Sequence, residues 1–299
     1  MTGASSRVDR PLQREASTDA FEFVRELASE LTTGEIELPS FPEVAAQVQK
    51  VLSQDDSDSA RVVRVLGAEP LLATRVLSMA NAAALNPGGR AIADLRTAVT
   101  RLGFDSLRSA AIGFAMAQIQ RAKQFKGIER HLSALWQQSV LVSALAFVVA
   151  RRTDKVSSDT AMLTGLVHGV GKLYILTHST KHPALFGEQE TYQRIVHDWH
   201  GNIAKALLES WFMAEEIVSA VHSYEDPARD LRGNAAVLAD VLEVADMLSA
   251  CTGAPDNVPA LLVGRKAVAR LGLDADICQA LLTESGEELA ALRDALGHQ

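Results

Sequence analysis

The sequence predicts an all-α protein in which several short helices lead into a bundle of fewer, longer ones. Three observations carry this. Alanine and leucine dominate while short alternating runs of β-branched and aromatic residues are nearly absent, the apolar residues recur at helical spacing, and the breaks fall at Gly, Pro, Ser and Asp. With 299 residues, 47% hydrophobic and only 5% aromatic, the chain can bury a sizeable core.

Residues 1–16 are polar and mixed in charge, and are expected to form a disordered leader. Phe21, Val24, Leu27, Ala28 and Leu31 make one apolar stripe that ends at Gly34. Ser40-Phe41-Pro42-Glu43 offers a capping serine, a first-turn proline and a glutamate placed to close a capping box, so a helix is expected from Phe41 to about Ser53. The 54–58 cluster makes a turn before a short helix through Val62, Val63 and Leu66, and Pro70 opens another up to Asn81. After the 86–89 loop come a short helix over 92–101 and a longer one beyond Gly103. Helices are then expected at 129–152, 158–179, 203–210, 214–223, 234–250, 261–271 and 275–296. Composition shifts near Gly127, which divides the chain into an N-terminal subdomain (17–127), a bundle (128–253) and a C-terminal extension (254–299) that pack together without a tether.

Lys plus Arg (29) against Asp plus Glu (37) gives a net charge of -8, which argues against nucleic-acid binding by general attraction to the backbone. Cys251 and Cys278 cannot make a dense disulfide framework, which suits a reducing compartment. The N-terminus lacks the apolar stretch of a secretory signal, and the longest apolar run, Val140–Ala150, falls short of the roughly 20 residues that span a bilayer. A cytoplasmic protein without a membrane partner is expected.

A series of motifs then resembles a known family. Leu38-Pro39-Ser40-Phe41-Pro42, Glu69-Pro70-Leu71, Met79-Ala80-Asn81, Ile92 through Leu102-Gly103, Leu135-Trp136, Gly165-Leu166-Val167-His168, Gly171-Lys172, and His200 followed by Leu208-Glu209-Ser210-Trp211 are similar, in that order, to the HDOD domain of bacterial signalling proteins, over roughly 38–251. The resemblance implies an HD-like helical bundle related to the HD and HD-GYP metal-dependent phosphohydrolases. An active site of that type needs histidines and aspartates from several helices, because the metal must both polarise a phosphate and supply hydroxide near neutral pH.

On that pattern, Gln138 stands where the first histidine is expected and the His-Asp pair becomes His168-Gly169. His200 resembles the second-metal histidine, the adjacent histidine pair becomes Tyr224-Glu225 with His222 out of register, and Asp246 resembles the final aspartate. His168, His200 and Asp246 are the residual candidate ligands, with Glu225 nearby in the pattern. Glycine has no donor atom and an amide is a poor replacement for imidazole at a transition metal, so a two-metal mechanism is not expected. The expected function is therefore a non-catalytic signal-transduction module acting through contacts with other signalling proteins, with no resident cofactor. The alternative is a divergent phosphohydrolase or phosphodiesterase holding one divalent metal on His168 and Asp246.

Structural roles are expected for several of the same residues. His168 lies in an apolar helix, where a buried, backbone-bonded histidine is the ordinary state. Gly165 and Gly169, one turn apart, suit close helix packing, and Lys172 suits a helix end or a carboxylate partner. His178, His182 and His197 are expected to be exposed, and Trp136, Trp199 and Trp211 to anchor packing. The segment 90–130 is locally basic, and Arg96, Arg101 and Arg108 are candidates for a face that meets an anionic partner.

Overall fold

A computed structural model describes residues 9–34, 36–38, 41–54, 59–86, 88–187 and 189–297. Helices account for the regular structure, and no strand occurs among the described residues. The elements are α1 (Asp9–Thr33), α2 (Glu43–Leu52), α3 (Ser59–Gly67), α4 (Pro70–Asn81), α5 (Leu95–Arg121), α6 (Glu129–Thr153), α7 (Ser158–Val167), α8 (Val170–His178), α9 (Gln189–Ser210), α10 (Glu215–Ser223), α11 (Gly233–Ser249), α12 (Val258–Leu261), α13 (Lys266–Leu271), α14 (Ala275–Glu284) and α15 (Gly286–Gly297).

Local chemistry explains most boundaries. α1 stops at Gly34, whose φ of +71° is open to glycine. It starts at Asp9, so helix extends into the expected leader, and residues 1–8 lie outside those described. The expected serine cap of α2 also lies outside the described residues. Pro42, with φ -67° and ψ 135°, precedes this helix without a side-chain cap, and Glu43 accepts from Gln47 Nε2 at 3.1 Å. Pro70 opens α4 and Asp94 caps α5 by accepting from the Thr97 N–H at 2.8 Å. The Asn81 amide pins both backbone groups of Ile92, at 2.8 Å each, and so closes the 86–89 loop. In α5 the helical run is bent at Gly103 (φ +72°, ψ 173°), where the sequence predicts two helices.

Four expected spans differ. The stretch 158–179 breaks at His168-Gly169 into α7 and α8, although its apolar pattern is continuous. α9 begins at Gln189, far upstream of Ile203, because Tyr192, Ile195, Val196 and Trp199 form an apolar stripe at helical spacing that packs on the core, with Glu190, Arg194, His197 and Asp198 on the exposed side. The 261–271 stretch is interrupted around Gly264 (φ +76°), and 275–296 divides at Ser285.

One contiguous apolar core runs from Phe23 to Leu296. At its centre α6 and α7 lie so close that a Cβ on Gly165 would sit 2.7 Å from Ser143 Cα. α6 is long and apolar enough to cross a bilayer by length and composition, yet most of its residues from Val140 to Ala150 are buried against α7, α11 and α15. The N-terminal segments meet the rest of the chain directly: Arg75 of α4 donates to the Leu296 carbonyl of α15 at 2.5 Å, and Phe41 stacks on Trp211, just beyond α9, at 4.7 Å between ring centroids.

Candidate functional site

The fold brings the motif residues together where α6, the α7–α8 junction, α9, the end of α10 and α11 converge. Gln138 comes from α6, His168 and Gly169 from the junction, Lys172 from α8, His200 from α9, Tyr224 and Glu225 from just beyond α10, and Asp246 from α11. Close helix packing makes this convergence. A Cβ on Gly171 would lie 2.0 Å from the His200 carbonyl oxygen, so glycine lets α8 touch the α9 backbone beside both His200 and Lys172.

The polar groups pair among themselves in two sets. In the first, Gln138 Nε2 donates to Ser249 Oγ at 2.7 Å and to Asp246 Oδ1 at 3.3 Å. In the second, three groups converge on Glu225: Lys172 Nζ reaches Oε1 at 3.0 Å, Tyr224 Oη donates to Oε1 at 2.5 Å, and His200 Nε2 meets Oε2 at 3.1 Å. These contacts, with the His200 bond foremost, hold the Glu225 carboxyl far below the usual carboxylate range. Burial keeps the Tyr224 phenol protonated to well above its ordinary value, with the Asp246 and Glu225 charges adding to the effect.

His168 stands between the two sets. Its ring meets Tyr224 edge to face at 6.1 Å, and its Nδ1 donates to the Gly165 carbonyl at 2.6 Å. It is buried, and burial pushes its pKa down despite the Asp246 charge nearby. A neutral ring with its proton on Nδ1 follows.

This donor set does not fit the metal pair of an HD hydrolase. Gly169 offers no ligand atom, and a Cβ there would meet the Ser139 hydroxyl of α6 at 2.9 Å. Gln138 brings an N–H to Asp246 where a ligand would bring a lone pair, and His200 is committed to Glu225. Among the described residues, no three His, Cys, Asp or Glu side chains converge in a way that could hold an ion.

The other expectations divide. Lys172 does pair with a carboxylate, and Gly165 and Gly169 do sit at close helix contacts. Trp136 and Trp211 are buried and line a small apolar cavity behind Gly169 with Ile112, Met116 and Leu135, and Trp199 is partly buried. His197 is exposed. His178 and His182 are buried instead of exposed, because α1 lies over them. His178 stacks on Tyr174 at 3.9 Å, while His182 packs on Phe23 and reaches Glu26 Oε2 at 3.2 Å. The basic face is also smaller than expected. Arg96 and Arg101 are exposed beside Thr97 and Thr100, but Arg108 is buried and committed to the Leu52 carbonyl at 2.9 Å and to Asp105 at 3.4 Å.

Sequence reasoning missed Ser249 and the ion network behind Glu225. Arg229 donates to the Tyr224 carbonyl at 2.8 Å and to Asp240 Oδ1 at 2.7 Å, and Arg270 of α13 grips both oxygens of the same Asp240. One signal was available: Asp240 interrupts the apolar run Val237-Leu238-Ala239…Val241-Leu242, where an acid needs a buried partner.

The HDOD domain family matches residues 38–227. The chain belongs to the HDOD family. Solved structures share the fold. An HDOD domain protein of unknown function from Geobacter sulfurreducens aligns with a TM-score of 0.63 at 23% identity, over 92% of this chain and 98% of that one. A protein of Shewanella amazonensis SB2B, assigned provisionally as a metal-dependent phosphohydrolase, aligns with a TM-score of 0.68 at 24% identity, over 93% and 99%. A third, from Marinobacter aquaeolei VT8 and assigned provisionally to signal transduction, gives 0.60 at 21% identity, over 94% of this chain and 66% of its own. Comparison with curated proteins finds no match. The HDOD match ends at residue 227, so Arg229, Asp240, Asp246 and Arg270 all lie beyond it.

Proposed function

We propose that this HDOD protein is a non-catalytic signal-transduction module of the cytoplasm, whose output passes through contacts with other signalling proteins. The observation that carries the reading is the Glu225 carboxylate. It sits among Lys172, His200 and Tyr224, groups that a hydrolase of this ancestry would turn toward its metals or substrate, and it satisfies all three. Hydrolysis of a phosphate bond needs charge compensation and an activated water. Here the neutral His168, the amide of Gln138 and the bare Gly169 supply neither.

The test is elemental analysis of the purified full chain together with assays on cyclic dinucleotides and nucleoside phosphates, with Mg, Mn, Fe or Zn added. Substoichiometric metal and intact substrates are expected. Turnover that a chelator abolishes, and that His168→Ala removes while the protein stays folded, would establish the single-metal phosphohydrolase instead.

A further inference from the structure

Three donors on one carboxylate is also the arrangement of an anion site with its own ligand already in place. His200 and Tyr224 are buried, and Lys172 and Glu225 are partly open to solvent, with side-chain exposures of 27% and 37%. The mouth of the cluster therefore faces water while its floor does not. Glu225 also satisfies the donors unevenly: Lys172 Nζ and Tyr224 Oη share Oε1, and His200 Nε2 alone has Oε2. A phosphate group has three free oxygens and carries up to two charges, so it can give each donor its own acceptor, and charge-assisted bonds to such oxygens are the stronger kind.

The placement of the segments that carry the three donors does not depend on Glu225. Arg229 fixes the backbone at Tyr224 through its carbonyl, and Asp240, held from the other side by Arg270, fixes Arg229. Gly171 locks α8 to the His200 backbone independently. If the glutamate side chain leaves, the backbone positions that carry Lys172, His200 and Tyr224 are still held next to one another.

We propose that Lys172, His200 and Tyr224 form a binding pocket for a small phosphate-bearing ligand, and that Glu225 is its built-in competitor, swinging outward when the ligand enters. The proposal rests on the non-catalytic reading above, since the ligand is bound and released unchanged. The Glu225 carboxylate is tethered at its target, so its effective concentration is high and the wild-type affinity is correspondingly low.

The experiment is calorimetric titration of the full chain with inorganic phosphate, with acetate as the carboxylate control. Glu225→Ala is expected to bind phosphate at least about tenfold more tightly than wild type, and adding Lys172→Ala is expected to cancel the gain. Phosphate is expected to outcompete acetate. A folded Glu225→Ala protein that binds phosphate no better than wild type, or that prefers acetate, overturns the proposal. If Glu225→Ala does not fold, Glu225→Gln serves: it keeps the shape but removes the competing charge, so tighter phosphate binding is again expected, and unchanged binding refutes it. Hydrolysis of a phosphate ester would defeat the non-catalytic reading alone, whereas absence of binding without turnover would defeat this inference alone.

Discussion

Substitution of Gly171 by alanine tests whether the site is built by helix contact. The added Cβ would lie 2.0 Å from the His200 carbonyl oxygen, 2.8 Å from its carbonyl carbon and 3.0 Å from the Ala204 nitrogen. All three are backbone atoms of α9, so no side chain can rotate away, and the two helices must separate by more than an ångström. Overpacking of this kind costs about 3 kcal/mol, against about 1 kcal/mol gained from the better helix propensity of alanine, which leaves a net loss of about 2 kcal/mol. Urea denaturation should show a lower midpoint with an unchanged slope. Gly201→Ala is the control. It lies in α9, within one residue of His200, but its nearest approach is 3.3 Å to the His222 carbonyl, so the propensity gain should roughly offset the crowding. A Gly171→Ala protein as stable as wild type, or a Gly201→Ala protein equally damaged, would refute the argument.

Three further outcomes follow from the same structure. Asp240→Ala removes the acceptor that Arg229 and Arg270 share, leaving the buried Arg229 with Glu243 and backbone carbonyls, and should destabilise by about 1.5–3 kcal/mol in denaturant melts, whereas Arg232→Ala breaks only the exposed pair with Asp230 and should change nothing measurable. Burial lowers the folded pKa of both His168 and His178 from 6.5, so the unfolded chain binds the extra protons: stability is complete above that value and drains as pH falls below it, by up to about 1.4 kcal/mol per pH unit for each ring. Melting temperature measured from pH 7.5 to 5 should fall accordingly, and His168→Gln should flatten part of the slope; a flat wild-type profile would contradict the burial. Phe212 follows α9 with a φ of +56°, more than half exposed, so Phe212→Gly should relieve strain and raise stability by about 0.5–1 kcal/mol, while a loss would show that its ring packs.

Several elements were legible from residues alone. Pro70, Gly34 and Gly103 each mark a boundary through their own backbone chemistry, and the structure places a helix start, a stop and a bend there. The site was legible as a set: Gln138, His168, Lys172, His200, Tyr224, Glu225 and Asp246 do gather, because an ordered motif series carries their relation along the chain. Other features left no local trace. The break at His168-Gly169 lies inside a continuous apolar pattern, and nothing near His178 or His182 signals that α1 covers them.

The sequence by itself determined the helical class, most helix ends and the loss of an imidazole at 138 and of a carboxylate at 169, since these depend on the chemistry of single residues and their nearest neighbours. Only the tertiary structure decided that Glu225 would take Lys172, His200 and Tyr224 together, that Arg108 would turn inward, and that Asp240 would link the last helices to the loop behind the site. Those outcomes depend on which groups lose water to one another across the core, and that pairing is set by contacts between segments far apart in the chain.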